Sequence, residues 1–185
     1  LNSDLPVIVD ADALTILAAH PHLVVDRDAP TVLTPHAGEY ARFGLGPVGA
    51  DRVAAARGLA ETLGATVLLK GNVTVIAGTD PIPGSLRSCP PDPIPGSLRS
   101  CPPKGPTYLN PAGGSWAATA GSGDVLSGII GALLASGLPA AEAAAAAAFV
   151  HARAANASAA DPGPAPVPTS ASGILSHIRS ALAAL

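Results

Sequence analysis

Gly121-Ser122-Gly123-Asp124 stands at the mouth of the apolar run Val125-Leu126-Ser127-Gly128-Ile129-Ile130, and these residue types in this order suit phosphoryl transfer. Glycine lets the main chain approach a ligand closely and accepts positive φ. The first amides of a helix have no intrahelical partner and lie at the positive end of its dipole, so an anion fits there. With a phosphate held by those amides, Asp124 is placed to orient an incoming hydroxyl and take its proton. A simple capped helix start would use the same tetrapeptide. Val125, Leu126, Ile129, Ile130, Leu133 and Leu134 give the following helix a broad apolar face, however. A buried helix mounts its amino end rigidly, which favours the functional reading.

Other candidate groups sit at the ends of apolar segments. Asp10 closes Val7-Ile8-Val9 and could order Mg²⁺-bound waters or a ligand group, while Asp12 reads as the cap of the next helix. His36 follows Thr34-Pro35, with Glu39 three residues on as a capping acid or a holder of metal-bound water. Lys70 ends Val67-Leu68-Leu69 before Gly71 and is a candidate phosphate contact, with Thr74 a second polar group on the same hairpin. Trp116 is either packing or a stacking surface. His151 and Arg153 read as solvated or structural. His20, His22 and His177 show no metal-ligand pattern, so no metal held by protein side chains alone is expected.

The elements that must position these groups alternate. Strands are expected at 7–10, 31–34, 66–70 and 73–77, with a short one at 107–109. Helices are expected at 13–20, from Pro35-His36 through Phe43, at 52–63 between an Asp51 cap and a Gly64 terminator, after Asp124, and at 140–160. Gly71-Asn72 reads as a tight turn. A proline-rich linker at 161–168 precedes a last helix beginning at Thr169 or Ser170, with Ile174, Leu175, Ile178 and Leu182 on one side. Alternation of this kind predicts an α/β layered fold with a largely parallel sheet. Ligands in such folds bind beyond the carboxyl ends of the strands. Asp10, Thr34-Pro35-His36, Lys70-Gly71 and the Gly121 turn all fall there, which argues for one site.

The 185 residues suggest one domain, and 48% apolar content with 3% aromatic residues implies an aliphatic, alanine-rich core. A net charge of −3 argues against a nucleic-acid partner or a polybasic membrane surface. No apolar run reaches membrane-spanning length, and the start lacks a basic-then-apolar leader pattern, so a cytoplasmic location is expected. The first residue is Leu, and a strand begins almost at once, which suggests that an upstream partner is missing. Asp80–Pro91 recurs unchanged as Asp92–Pro103. Such a repeat reads as a duplicated, extended surface loop rather than a solenoid unit. Cys89 and Cys101 are therefore one position copied, and give no sign of a disulfide framework.

Taken in order, Val9-Asp10-Ala11-Asp12-Ala13-Leu14, Thr34-Pro35-His36-Ala37-Gly38-Glu39, Leu69-Lys70-Gly71-Asn72-Val73-Thr74 and Ala120-Gly121-Ser122-Gly123-Asp124-Val125-Leu126-Ser127-Gly128 resemble the ADP-dependent NAD(P)H-hydrate dehydratases of the ribokinase-like superfamily. The resemblance covers nearly the whole chain apart from the duplicated loop. It implies a ribokinase-like domain over 1–185, incomplete at its amino end, because the family's domain starts well upstream of the Asp10 strand. It implies dehydration of hydrated NADH or NADPH at the expense of ADP, giving AMP and phosphate, with Mg²⁺ accompanying the nucleotide. By that resemblance His36 contacts the hydrated nicotinamide nucleotide, and Lys70, Gly71, Asn72, Val73 and Thr74 line the phosphate side of the adenine nucleotide. Gly121, Ser122 and Gly123 form the anion hole, and Asp124 faces the substrate hydroxyl as base. Small-molecule substrates are the implied partners, and a homo-oligomer is implied. Two other readings fit the same residues: a ribokinase-like kinase of a vitamin precursor or sugar, and an inactive nucleotide-binding remnant.

Overall fold

The computed structural model describes residues 1, 3–25, 27–79, 105–112 and 114–185. The duplicated segment at 80–103 lies outside the described residues. Strands β1 (Val7–Val9), β2 (Thr31–Leu33), β3 (Thr66–Leu69), β4 (Val73–Ala77) and β5 (Thr107–Pro111) form one sheet in that spatial order. β1, β2 and β3 run parallel, with Val9 beside Leu33 and Leu33 beside Val67. β4 turns back antiparallel to β3, as the Gly71-Asn72 turn predicts, and β5 turns back again on β4.

Side-chain alternation along each strand builds two cores. Val9, Leu33, Val67, Leu69, Val75 and Ala77 face α1 (Asp12–Ala19), α2 (His22–Val25) and α4 (Arg52–Leu63). Val32, Leu68 and Ile76 face the opposite way, onto α5 (Ser122–Ala135) and α6 (Ala140–Ala160). All four residues of β3 are buried, as expected for a strand covered on both faces. The result is a helix–sheet–helix sandwich, and no helix among the described residues is long and apolar enough to cross a membrane.

Several helix boundaries follow from capping. Asp51 accepts the Ala54 N–H at the start of α4, and Gly64 ends it with φ 63°. Ser170 accepts the Gly173 N–H at the start of α7 (Ala171–Ala183). Two expectations are corrected. Asp12 does not cap α1: the cap position is Ala11, and Asp12 already lies in the first helical turn. On α7 only Ile174 and Ala181 are buried, while Leu175 is 60% exposed and Leu182 49%. One short side of α7 meets α6, so the apolar stripe is wider than the contact it makes. The extra turn α2 was not expected, because His20-Pro21-His22 reads as a stop; here it separates two helices.

The chain leaves β4 at Gly78 and returns to β5 at Gly105, where the two backbones meet and Gly78 N donates to Pro106 O at 2.9 Å. A Cβ on Gly105 would overlap the Gly78 carbonyl and the Thr79 nitrogen, atoms that cannot swing aside. Gly105→Ala is expected to destabilise the protein by about 2 kcal/mol, in the range of overpacking substitutions. Equilibrium unfolding in urea checks this, and an unchanged midpoint would contradict the close approach.

Candidate functional site

The parallel register brings the carboxyl ends of β1, β2 and β3 to one rim. Thr34 N donates to Val9 O at 3.1 Å and Lys70 N to Pro35 O at 2.8 Å, so the residues after each strand stay in step. Asp10, Thr34-Pro35-His36 and Lys70 therefore emerge side by side. Lys70 Nζ lies 2.8 Å from Asp10 Oδ1 and 3.7 Å from Glu39 Oε2. Asp10 also accepts from Ala11 N at 2.9 Å and from Ser127 Oγ at 3.3 Å. Burial alone would push the Asp10 carboxyl up, but the Lys70 ammonium, the Ala11 N–H and the Thr34 hydroxyl more than offset it and hold the carboxyl below its ordinary value. Ala11 adopts φ 50°, the one non-glycine with positive φ among the described residues. Such a conformation costs on the order of 1–3 kcal/mol and persists where the surroundings over-determine it; here the bond from its N–H to Asp10 helps to hold it.

His36 caps the short helix α3 (Ala37–Tyr40), which continues as a 3₁₀ turn over Ala41–Phe43. Its Nδ1 accepts from Gly38 N at 2.9 Å and Glu39 N at 3.2 Å, while Glu39 Oε2 accepts from His36 N at 2.8 Å. This reciprocal arrangement is a capping box with a histidine in the place of serine. It fixes the ring with Nε2 3.5 Å from Glu39 Oε1, and leaves the His36 side chain 56% exposed. Glu39 is thus the capping acid that its spacing suggests, and the same carboxylate reaches Lys70.

The amino end of α5 closes the rim. Gly121 holds the cap position at φ 80°, a conformation that disfavours any residue with a Cβ. A Cβ on Gly123 would come 3.3 Å from Asp10 Oδ2 and 3.7 Å from Lys70 Nζ, so glycine is what lets the helix start approach the strand-end charges. Ser122 is buried and its Oγ donates to Ala117 O. Asp124 lies in the first turn and is exposed. The geometry thus brings Lys70, His36 and the Gly121–Asp124 turn to one rim. An ammonium carries three donors, and Lys70 directs one at Asp10 with Glu39 nearby, so it keeps capacity for an anion at the turn.

The hairpin residues are placed differently. Gly71 leaves room for the Arg52 guanidinium, which donates to Lys70 O at 3.0 Å. Asn72 and Val73 are exposed at the turn, and Thr74 Oγ1 donates to Gly71 O. They flank the rim through the backbone of the hairpin, with no side-chain contact to the Asp10–Lys70 pair among the interactions described. Trp116 packs beside Val150, Ala154 and Ile174.

Two residues gain a place that their sequence position did not announce. Ser127, one turn into α5, reaches Asp10, and its i+3 spacing from Asp124 is the signal that could have shown it. His151 is buried at 6% exposure in α6. Burial holds its imidazole below the ordinary value, with a hydrogen bond to the Ser122 backbone acting the other way. It is buried and not solvated.

Solved structures share this fold. A ribokinase-like superfamily protein from Enterococcus faecalis superposes over 95% of this chain with a TM-score of 0.65 at 23% identity, which identifies the fold as ribokinase-like. The ADP/ATP-dependent NAD(P)H-hydrate dehydratase from Bacillus subtilis, co-crystallised with ATP and Mg²⁺, superposes over all of this chain and 56% of its own, with a TM-score of 0.71 and 26% identity. The family model described as NAD(P)H-hydrate dehydratase matches residues 1–84 and 101–177, and its break falls within the duplicated segment. The bifunctional NAD(P)H-hydrate repair enzyme Nnr of Mycobacterium leprae is 67% identical over the whole chain, which covers 34% of that protein. The ADP-dependent (S)-NAD(P)H-hydrate dehydratase of Neisseria meningitidis is 40% identical over 77% of this chain and 42% of its own length. The chain belongs to the NAD(P)H-hydrate dehydratase family. It spans about a third of the length of the mycobacterial relatives.

Proposed function

We propose that this chain supports the ADP-dependent dehydration of hydrated NADH and NADPH, a repair of damaged nicotinamide nucleotides. The observation that carries the reading is the meeting of Gly123 with Asp10 and Lys70 at one rim: an anion-binding helix start stands directly against a strand-end ammonium. The terminal phosphoryl group of ADP passes to the hydroxyl on the reduced ring, whose proton goes to Asp124, and AMP forms. The ring carbon–oxygen bond then breaks, the adjacent ring carbon loses a proton, and inorganic phosphate departs with the oxygen. Phosphate leaves far more readily than hydroxide, which is the reason for a kinase-like site in a dehydratase.

The roles follow from placement. The Gly121–Gly123 amides and Lys70 meet the charge that develops on the transferred phosphoryl group. Gly71, Asn72, Val73 and Thr74 line the nucleotide side by their backbone. His36, with its side chain 56% exposed at the rim, contacts the nicotinamide nucleotide. Among the described residues no group of three His, Cys, Asp or Glu could cage a metal, and Lys70 already engages both Asp10 and Glu39. These residues fit a Mg²⁺ that arrives on the diphosphate and keeps most of its waters. Mg²⁺ would neutralise phosphate charge there.

The test mixes the purified protein with hydrated NADH, Mg²⁺ and either ADP or ATP. The expected result is recovery of dihydronicotinamide absorbance with AMP and phosphate released in equal amounts from ADP. A stable phosphorylated nucleotide would mark a kinase instead. A folded protein that yields neither product overturns the catalytic reading.

A further inference from the structure

Arg52 is the first residue of α4, and an arginine there serves the helix poorly. The positive end of a helix dipole disfavours a cation in the first turn. No carboxylate forms an ion pair with Arg52 among the described residues. Its Nε is buried without a hydrogen-bond partner among the described residues, a costly state for a polar atom. What the guanidinium reaches is the end of β3. Its Nη2 donates to Lys70 O at 3.0 Å and lies 3.4 Å from Leu69 O.

Lys70 stands one residue past β3, and the register of β3 with β4 ends at Leu69 beside Val75. The sheet therefore does not hold the Lys70 carbonyl, and Arg52 is the donor that it finds. The Lys70 N–H donates to Pro35 O at 2.8 Å. The main chain at Lys70 is thus held from two sides, by the segment after β2 and by the start of α4. The fit on the α4 side is close. A Cβ on Gly71 would come 2.5 Å from Arg52 Nη2 and 3.0 Å from Cζ, so the guanidinium reaches the carbonyl because residue 71 is glycine. With both backbone groups of Lys70 engaged, the freedom left to it lies in its side-chain torsions, and its ammonium stays beside Asp10 and near Gly123. We propose that Arg52 is a positioning residue, which fixes the Lys70–Gly71 peptide and through it places the Lys70 ammonium for the phosphate of the bound nucleotide. The role rests on the nucleotide reading above and extends it to α4. It differs from a direct phosphate contact, because Nη2 is engaged by the carbonyls and Nε is buried.

The test is calorimetric titration with MgADP of the wild-type protein, Arg52→Met, Lys70→Met and the double variant. Arg52→Met is expected to bind MgADP about fivefold more weakly than wild type, the scale of coupling within one hydrogen-bond network. In the Lys70→Met background the same substitution is expected to cost less than about twofold, because the residue it acts through is gone. A guanidinium that attracts the phosphate directly would cost as much in both backgrounds, and that result overturns the inference. Wild-type affinity in Arg52→Met with a lowered urea midpoint marks a purely structural residue and overturns it too, as does wild-type affinity in Lys70→Met. Arg52→Gln serves if the methionine variant does not fold. If the wild-type protein itself binds no MgADP, the nucleotide reading falls, and the positioning is then judged on urea unfolding alone. Lys70→Met must lower the midpoint less in the Arg52→Met protein than in wild type, because the Lys70–Asp10 pair has lost its alignment; equal losses overturn the inference.

Discussion

Asp124→Asn is expected to lower the turnover of hydrated NADH by about a thousandfold, the middle of the range for removing a positioned general base. The substitution keeps the shape of the side chain and removes only its charge and basicity. Asp124 is exposed in the first turn of α5, so its loss subtracts a favourable interaction with the helix dipole of about 0.5 kcal/mol and leaves the fold in place. Binding of MgADP should hold or tighten, because a negative charge beside the phosphate disappears. Steady-state kinetics with hydrated NADH, set against a MgADP titration of the same variant, separate the two effects. A fall in kcat of less than about tenfold would remove Asp124 from the role of base. A loss of nucleotide binding equal to the loss of turnover would place it among the phosphate contacts instead.

The strand–helix order was readable because each element carries its own punctuation. Asp51 and Gly64 bracket α4, Ser170 starts α7, and Gly71-Asn72 turns β3 into β4. The ends of the parallel strands were equally readable, since apolar runs stop at Asp10, Thr34 and Lys70. What the residues did not disclose is how those groups are already engaged. Lys70 reads as a free phosphate ligand, yet it is held by Asp10 and Glu39 across separations in sequence that no local pattern encodes. Ala11 gives no notice of its positive φ, because alanine is an ordinary residue and the conformation is imposed by its surroundings. His151 lies in an alanine-rich helix whose weak amphipathic pattern hides which side is buried. On α7 the error ran the other way: Leu175 and Leu182 complete an apolar stripe that the neighbouring helix does not cover.

Asp10 is the residue on which the rim's charge balance turns, and Asp10→Asn isolates its charge from its shape. In the native protein the carboxylate faces the Lys70 ammonium at 2.8 Å, with the Lys70 side chain 23% exposed and that of Asp10 16%. Water screens such a pair only in part. With asparagine there, Glu39 at 3.7 Å is the nearest remaining counter-charge to Lys70. The expected loss at neutral pH is about 2 kcal/mol, the scale of a hydrogen bond to a charged group. Its pH dependence has a definite sign. The Asp10 carboxyl titrates below 3.8 in the folded protein, so the unfolded chain takes up that proton first as pH falls. Its contribution is therefore fully present above pH 3.8 and is lost as pH falls through the lower folded value. Urea unfolding of wild type and Asp10→Asn should differ by a constant amount at neutral pH and converge in acid. Lysine 70 freed from its partner should also bring its ammonium to the phosphate more readily, so MgADP affinity is expected to stay or rise while stability falls. Stability curves that remain parallel through the acid branch would mean that the Asp10 carboxyl takes up its proton at the same pH in the folded and the unfolded protein, so that Lys70 lends the carboxylate no net stabilisation.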